Sequence, residues 1–355
     1  MKFSDIAKLR LINQQISGTK YKKPAEIVEW LVGIQAQAYS SAKWAIGSRL
    51  PGITDKDVEQ SITDKKIIRT WLMRGTLHIV AAKDIRWMLS LLAPRIIAGT
   101  ALRNRQLELD EATFSRSNAV ITKVLEKETQ LTRSEIGIAL MKAGINISGQ
   151  RLYHILHRTS LEQIICFGSK QGSEFTFALL DECVPQKKSF NRDEALSEIT
   201  LRYFKSRGPA ALQDFTAWSG LSLTDARAGL ETAKHNLIME KIAGKIYWLP
   251  EDTPAVKSKS PTAYLLAGFD EYLIAYRDRS ACIDPYYGKK VVYRNGIFNP
   301  TVVIEGQVVG AWKPIVKKDK VSIQADLFTQ LSKSQINSIN SAAEAYAKFT
   351  GKTLL

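Results

Sequence analysis

Two glutamines follow an apolar segment at positions where their side chains could act together. The segment AEIVEWLVGI predicts a helix that leads into Gln35 and Gln37. On a continuing helix these side chains would point about 200° apart. In an extended or turning backbone they would share one side, and Gly33 allows a local break. An amide both donates and accepts hydrogen bonds, so two amides on one side could orient a single water molecule. A plain polar helix end is the alternative interpretation.

A second candidate for chemistry is a pair of adjacent carboxylates. Asp270 and Glu271 lie in GFDEYLIAYRDR and could serve acid–base catalysis. Arg277 and Arg279 follow closely in the sequence. A structural cluster of ion pairs is therefore the favoured interpretation.

No metal or cofactor is expected. His154 and His157 are three positions apart on one predicted helix face, but a nearby third ligand is missing, so a structural role is favoured. The sequence also lacks GxSxG, GxxxxGK[ST], HExxH, and GxGxxG at a strand–helix junction.

Composition indicates an ordinary soluble protein. A chain of 355 residues is long enough for two or three domains, and 45% hydrophobic with 24% charged residues excludes disordered and fibrous classes. Apolar runs such as WMLSLLAP (87–94) are short for a bilayer. The segment MKFSDIAKLRLINQQ carries charges where a signal peptide needs an apolar stretch. Scattered Cys166, Cys183 and Cys282 favour a reduced, cytoplasmic protein.

The net charge of +15 is concentrated in one stretch. Between Asp64 and Arg105 there are nine basic residues against two acidic ones, with Trp71 and Trp87 among them. The nine are Lys65, Lys66, Arg69, Arg74, Lys83, Arg86, Arg95, Arg103 and Arg105. Basic and aromatic residues mixed in this way are typical of nucleic-acid binding. The solvated surface of a basic protein is the alternative, and charge alone does not decide between them.

The chain repeats one plan of three helices and a hairpin, which is the order of a winged helix. Residues 113–180 show it most clearly, with a capping box at Thr132 and Glu135 and a hairpin turn in SKQGS. Residues 192–250 repeat it, with Pro209 near the first turn of the second helix and a hairpin turning at 243–244.

The first copy of this plan is more diffuse. Helices are predicted around 4–17, 24–35 and 55–63, followed by the hairpin KKIIRTWLMRGTLHIV, which turns at 74–75. Winged helices often bind DNA and also serve as protein–protein modules, so the fold alone does not settle function.

After Pro254 the composition changes. EDTPAVKSKSPT predicts a linker, and residues 262–328 alternate β-rich runs with the hairpin dipeptides NG and EG. This pattern predicts a small antiparallel sheet or barrel, closed by a helix over about 331–348 that begins at Ser332 or Ser334.

The sequence thus predicts an α+β protein with three tandem winged-helix units, a small C-terminal antiparallel β-barrel and a terminal helix. The predicted domains are 1–110 (with the glutamine motif and a basic helical extension), 111–185, 190–252 and 262–355.

Four segments carry a resemblance to a known family. They are Gln35-Ala36-Gln37 with the following AKWAIGSRL, TWLMRGTLHIV (70–80), GFDEYLIAYRDRS (268–280) and NGIFNPTVVIEGQVVGAW (295–312). Together they resemble the AlkZ/YcaQ family of bacterial DNA glycosylases, which remove N7-alkylated guanine and unhook interstrand crosslinks. The resemblance spans nearly the whole chain, and it implies three winged helices and a C-terminal barrel.

The resemblance also implies roles for single residues. One branch of the family carries Gln-X-Gln and the other Gln-X-Asp; this chain has the former, so Gln35 and Gln37 are implied as the catalytic pair. Trp44, Thr76 and His78 are implied as supporting residues of the site, although His78 in an alternating apolar strand favours packing. A DNA-probing hairpin is implied near Tyr293–Phe298.

DNA contacts are expected from basic side chains in and around these segments. The predicted DNA-binding residues are Lys43, Arg49, Lys65, Lys66, Arg69, Arg74, Arg103, Arg105 and Arg294. The expected partner is double-stranded DNA with alkylated or crosslinked purines. No association with a membrane is expected. The protein is expected to be a cytoplasmic, nucleoid-associated monomer.

The resulting hypothesis is a monofunctional DNA glycosylase for cationic N7-alkylated purines. An N7-alkylguanine already carries positive charge and leaves as a neutral base, so a general acid is dispensable, and two glutamines that orient a water could suffice. A non-enzymatic winged-helix DNA-binding protein is the alternative, and an interaction scaffold is a third.

Overall fold

The computed structural model describes residues 1–184, 190–252 and 262–355. Most of the predicted linker, and residue 185 of the second predicted domain, lie outside the described residues. The helices are α1 Phe3–Asn13, α2 Pro24–Trp30, α3 Tyr39–Gly47, α4 Asp55–Thr63, α5 Ile85–Gln106, α6 Glu111–Leu125, α7 Arg133–Lys142, α8 Arg151–Leu161, α9 Leu180–Cys183, α10 Arg192–Arg207, α11 Leu212–Ser219, α12 Leu223–Ala233, α13 Glu271–Ile274, α14 Gly288–Val291 and α15 Lys333–Thr350.

Strands occur throughout the chain, which confirms a mixed α+β protein. They are β1 Ile34–Gln35, β2 Ile67–Trp71, β3 Leu77–Ala81, β4 Leu131–Thr132, β5 Ile165–Gln171, β6 Glu174–Leu179, β7 Leu237–Ile242, β8 Lys245–Pro250, β9 Ala263–Leu266, β10 Thr301–Ile304, β11 Gln307–Lys317, β12 Lys320–Leu327 and β13 Thr353–Leu354.

The chain forms two compact units. The first unit combines Met1–Gln60 with Leu196–Leu355, and the second is Ser61–Ala195. The predicted first domain therefore spans a unit boundary. Residues of the N-terminal helix belong to the core of the C-terminal part: Ile6 and Leu11 are buried in one apolar cluster with Tyr272, Phe298 and Val303.

The first unit contains a five-stranded sheet in the order β13-β12-β11-β10-β9. Its pairs are antiparallel except for the parallel β12–β13 pair. The strand order is linear, and closure into a barrel stays a prediction. Helix α15 begins as predicted, because the Ser332 hydroxyl accepts a hydrogen bond from the Gln335 backbone N–H.

Helices α10, α11 and α12 and the hairpin β7–β8 also belong mainly to the first unit, in the predicted order. The hairpin turns between Ile242 and Lys245, as predicted. Helix α11 begins at Leu212 rather than near Pro209, because Ala210 exchanges backbone hydrogen bonds with Trp248 instead of starting the helix.

In the second unit the order α6, α7, α8, β5, β6 matches the prediction for 113–180. The capping box at Thr132 and Glu135 is present, and it fixes the start of α7. The strands run further than predicted, since Gln171 pairs with Glu174 across the turn. The short strand β4 adds to β6, giving the order β4-β6-β5.

The second unit also holds the hairpin β2–β3 and the long helix α5. The hairpin pairs Ile67 with Ala81 at one end and Trp71 with Leu77 at the other. By length and composition alone α5 could cross a bilayer. Its apolar residues lie mostly in its N-terminal half, which is buried within the fold and therefore forms core rather than a lipid-facing surface.

Candidate active site

The two glutamines lie just after the end of α2, where the backbone changes from helical to extended. Val32 has φ 60° and Gly33 has φ 147°, so the helix cannot continue. Gln35 is in the extended segment β1. Its side-chain Nε2 donates a 2.8 Å hydrogen bond to Oε1 of Gln37. The predicted break at Gly33 and the shared side of the two amides are both present.

The two glutamines differ in their exposure. Gln35 is only 5% exposed, whereas Gln37 is exposed. A buried amide that holds an exposed one restricts the rotamers of the exposed side chain. The pair therefore presents a fixed polar group to solvent at this point of the first unit.

Glu271 connects the glutamine segment to a buried ion pair. Its Oε1 accepts a hydrogen bond from the Gln35 backbone N–H at 3.3 Å. Its Oε2 accepts from Arg207 Nη2 at 2.7 Å and from Trp218 Nε1 at 2.9 Å. Glu271 is 1% exposed and the Arg207 side chain 0%, so the two charges compensate each other away from water.

Arg207 also holds the break that separates α2 from the glutamines. Its Nη2 donates to the carbonyls of Leu31 at 2.7 Å and of Gly33 at 3.3 Å. The guanidinium lies 4.4 Å from the centre of the Trp218 ring. One arginine thus binds both the carboxylate that contacts Gln35 and the carbonyls of the preceding turn.

A second buried pair lies next to the first along the chain. Arg49 binds both oxygens of Asp270, at 2.8 and 2.9 Å, and also donates to the backbone carbonyl of Gln14. Gln14 in turn donates to the Tyr276 hydroxyl at 2.9 Å. Burial raises the pKa of Tyr276, so this phenol stays protonated and donates to the carbonyl of Arg207.

These ion pairs confirm the structural role predicted for Asp270 and Glu271, but the predicted arginine partners were wrong. The partners are Arg49 and Arg207, not Arg277 and Arg279. Arg279 instead donates to the carbonyl of Leu273. The correction also applies to Arg49 as a predicted DNA contact, because its 1% exposed side chain is already bound to Asp270.

Lys43 and Trp44 have structural roles in the first unit. Lys43 is 6% exposed, and its Nζ lies 2.7 Å from both Asp55 and Glu59, so it is not placed to contact DNA as predicted. Trp44 Nε1 donates to the Leu265 carbonyl, and its ring meets Tyr346 edge to face. These contacts support the packing of α3.

The wing-motif residues lie in the second unit. Arg74 is exposed in a tight turn with φ 57°. The Thr76 hydroxyl donates to the Met73 carbonyl within that turn, and Nδ1 of buried His78 lies 2.9 Å from the Thr76 carbonyl. The packing role favoured for His78 agrees with this burial.

Arg69, another of the predicted DNA-binding residues, lies among aromatic rings. It is 5% exposed, and its guanidinium lies 4.1 Å from the ring centre of Phe175 and 4.7 Å from that of Phe167. A guanidinium enclosed in this way stacks on the aromatic rings, and a DNA contact by Arg69 stays a prediction.

The other predicted DNA-binding side chains are exposed. Lys65, Lys66, Arg103, Arg105 and Arg294 all lie at the surface. Three of them make local contacts: Lys65 with the Glu182 carbonyl, Lys66 with Asp64, and Arg103 with Gln150. Their contacts with DNA remain predictions.

The described residues include no group of three or more His, Cys, Asp or Glu side chains that could hold a metal. His157 stacks on Tyr153 and meets Trp71 edge to face. Burial, aided by His154, lowers the pKa of His157 to about 4, so it is neutral at pH 7.

Sequence reasoning missed Arg207 and Trp218. Arg207 resembles any basic residue at a helix end, and Trp218 resembles any core aromatic. Their link to Glu271 bridges 64 and 53 positions of the chain, and it leaves no local pattern.

The chain belongs to a family of DNA glycosylases: the family model described as DNA glycosylase AlkZ-like matches residues 28–349.

Individual relatives agree with this assignment. The chain is 25% identical over 321 residues to an interstrand DNA cross-link repair glycosylase of Streptomyces sahachiroi, covering 86% of this chain and 85% of that protein. It also resembles the solved structure of the Streptomyces sahachiroi DNA glycosylase AlkZ, with a TM-score of 0.80 at 22% identity over 100% of this chain and 98% of that one. The structural likeness shows a common fold.

Proposed function

We propose that this chain is a monofunctional DNA glycosylase that hydrolyses the N-glycosidic bond of cationic N7-alkylated purines and unhooks interstrand crosslinks. The observation that carries the proposal is the 2.8 Å hydrogen bond between Gln35 and Gln37, which fixes an exposed amide beside a buried one. Membership of the glycosylase family and the crosslink-repair relative support the substrate class.

The chemistry follows from the leaving group. A cationic N7-alkylpurine departs as a neutral base, so bond breaking needs no general acid. As the C1′–N9 bond breaks, the positive charge passes to the sugar. The remaining task is to place a water that bonds to this anomeric carbon and releases a proton to solvent. Exposed Gln37 offers an amide to that water, and Gln35 holds this amide in place. Neither amide is a strong base, so normal purines should survive while cationic lesions are released.

Glu271 and Arg207 act as positioning residues in this proposal. Glu271 accepts a hydrogen bond from the backbone N–H of Gln35. Arg207 binds Glu271 and also the backbone carbonyls of the turn that precedes Gln35. Because both are buried and paired, they hold the extended segment without contacting the substrate.

The architecture suits DNA binding. We take the three helix–hairpin arrangements as winged helices and the five-stranded sheet as the basis of a barrel. The exposed basic side chains bind phosphates and keep the substrate in register. The turn Tyr293–Phe298 is the expected DNA-probing hairpin: the Tyr293 backbone N–H donates to the Ile297 carbonyl, and both side chains are exposed. The protein acts as a monomer at the nucleoid and needs no cofactor.

The test is base release from a duplex with one N7-methylguanine and from a duplex with one nitrogen-mustard crosslink. Wild type, Gln35→Ala, Gln37→Ala and the double variant are compared in single-turnover reactions, with strand cleavage measured before and after alkali. We expect alkali-dependent cleavage by wild type, because a monofunctional enzyme leaves an intact abasic strand. The glutamine variants should lose about 100-fold or more in rate while binding the duplex normally.

The matched control is Gln330→Ala, which removes an exposed glutamine elsewhere in the first unit and should react like wild type. Unchanged base release in the double variant would refute the role of the glutamines. If wild type releases neither lesion but binds duplex tightly, the chain is a non-enzymatic DNA-binding protein.

A further inference from the structure

The second unit contains a cavity of about 430 Å³ with five aromatic side chains in its lining. The lining includes Arg69, Trp71, Tyr153, Phe167, Phe175 and Phe177. A purine base with its sugar is small enough for a cavity of this size. None of these aromatic residues belongs to the glutamine segment, so the cavity needs its own explanation.

Part of the lining is a buried aromatic cluster. Trp71, Phe167 and Phe177 are all less than 9% exposed, and the Trp71 and Phe177 planes differ by only 10°. The remaining wall is accessible, because Tyr153 is 40% exposed and Phe175 is half-buried. A planar ring could enter beside these two residues and stack on the faces already present.

Arg69 gives this aromatic cavity a positive charge. Its guanidinium lies over the Phe175 and Phe167 rings and forms part of the lining. A guanidinium prefers ligands with paired acceptor atoms and repels cations. Arg133 and Glu174 are exposed lining residues of opposite charge, and their charges offset each other. The charge of buried Arg69 therefore determines which ligands the cavity prefers.

We propose that this cavity binds one unpaired, undamaged purine of the DNA, with guanine preferred. The base stacks on the aromatic rings and turns its O6 and N7 acceptors toward Arg69, the pairing by which arginine recognises guanine. Arg133 at the rim provides a cation for the attached phosphate.

The lesion itself is a poor occupant of this cavity. An N7-alkylguanine is cationic and has lost its N7 acceptor, so Arg69 repels it and cannot make the paired contact. The cavity therefore binds a base displaced near the damage rather than the base that is removed. This inference rests on the proposed function only in taking DNA as the ligand.

The experiment uses undamaged DNA, so it is independent of catalysis. Fluorescein-labelled duplexes carry a single bulged guanine, a bulged 7-deazaguanine or no bulge, and affinity is measured by anisotropy. A bulged 2-aminopurine reports stacking by fluorescence quenching. The variants are Tyr153→Ala and Phe175→Ala, with Tyr153→Phe as the conservative change. The control is Ile138→Ala, which removes exposed apolar atoms from α7 of the same unit.

We expect wild type to prefer the guanine bulge about 10-fold over the paired duplex and over 7-deazaguanine, and to quench 2-aminopurine. Tyr153→Ala and Phe175→Ala should lose the preference, while Tyr153→Phe and Ile138→Ala keep it. Equal binding of all three duplexes by wild type, or an unchanged preference in both alanine variants, would overturn the proposal. Base release from N7-methylguanine by the Tyr153→Phe variant shows separately whether the glycosylase function stands.

Discussion

At the scale of single residues, two buried ion pairs lie next to each other on the sequence but differ in what they contact. Glu271 binds Arg207 and the backbone of Gln35, whereas Asp270 binds Arg49 and caps α13 through the Tyr272 backbone N–H. Substituting either carboxylate should therefore lower stability, but only a change at Glu271 should also lower catalysis.

Glu271→Gln should therefore lower both activity and stability. The amide can still accept from Gln35 but leaves buried Arg207 without a counter-charge, which costs about 3–5 kcal/mol of the free energy of unfolding. A shifted Gln35 should lower single-turnover base release about 10- to 100-fold with little change in duplex affinity. Asp270→Asn is the matched control, and it should lose stability while keeping its rate at a temperature where it is folded. Equal rates in the two variants would contradict the positioning role of Glu271.

His157 should make stability depend on pH. Burial lowers its pKa from 6.5 to about 4, so the unfolded chain binds a proton more readily than the folded one between these values. Stability should be full above pH 6.5 and fall as the pH decreases toward 4, by about 2 kcal/mol at pH 5. Urea unfolding of wild type and His157→Phe at pH 7.5 and pH 5 measures this. A pH-dependent loss of equal size in both proteins would exclude His157 as its source.

At the scale of elements, the sequence predicted what depends on local pattern. The capping box of α7, the start of α15 and the turn of β7–β8 are local signals, and all three are present. Helix α3 was missed, because AKWAIG lacks a side-chain cap and follows directly on the glutamine motif. The partners of the two carboxylates depend on tertiary packing, which a local pattern does not encode.

The break after α2 can be tested at Gly33. Its φ of 147° is unfavourable for a residue with a side chain, so Gly33→Ala should cost about 1–3 kcal/mol of stability and displace Gln35. Gly52→Ala is the matched control, because Gly52 has φ 94° and nothing within 4 Å of an added Cβ. Thermal unfolding should show a loss in both variants. Base release should fall only in Gly33→Ala, and a similar rate in the two would show that the break does not position the glutamines.

At the scale of the whole molecule, the sequence predicted the class of protein, whereas the division into two compact units depends on contacts between distant parts of the chain. The mixed α+β class and the glycosylase family agree with the structure and the comparisons. The N-terminal segment belongs to the unit that also contains the C-terminal sheet, because apolar faces of α1 meet residues more than 260 positions away, such as Tyr272. A count of basic residues also does not distinguish buried arginines such as Arg49 from exposed ones.

The salt dependence of duplex binding tests which basic residues face DNA. Each lost phosphate contact should reduce the slope of log K against log salt by about 0.9. Arg105→Gln and Lys66→Gln should each lower the slope by that amount, because both side chains are exposed in the basic stretch. Lys348→Gln removes the same charge from the exposed face of α15, outside that stretch, and should leave the slope unchanged. Equal slopes in all three variants would mean that net charge, rather than a defined surface formed by the basic stretch, attracts the DNA.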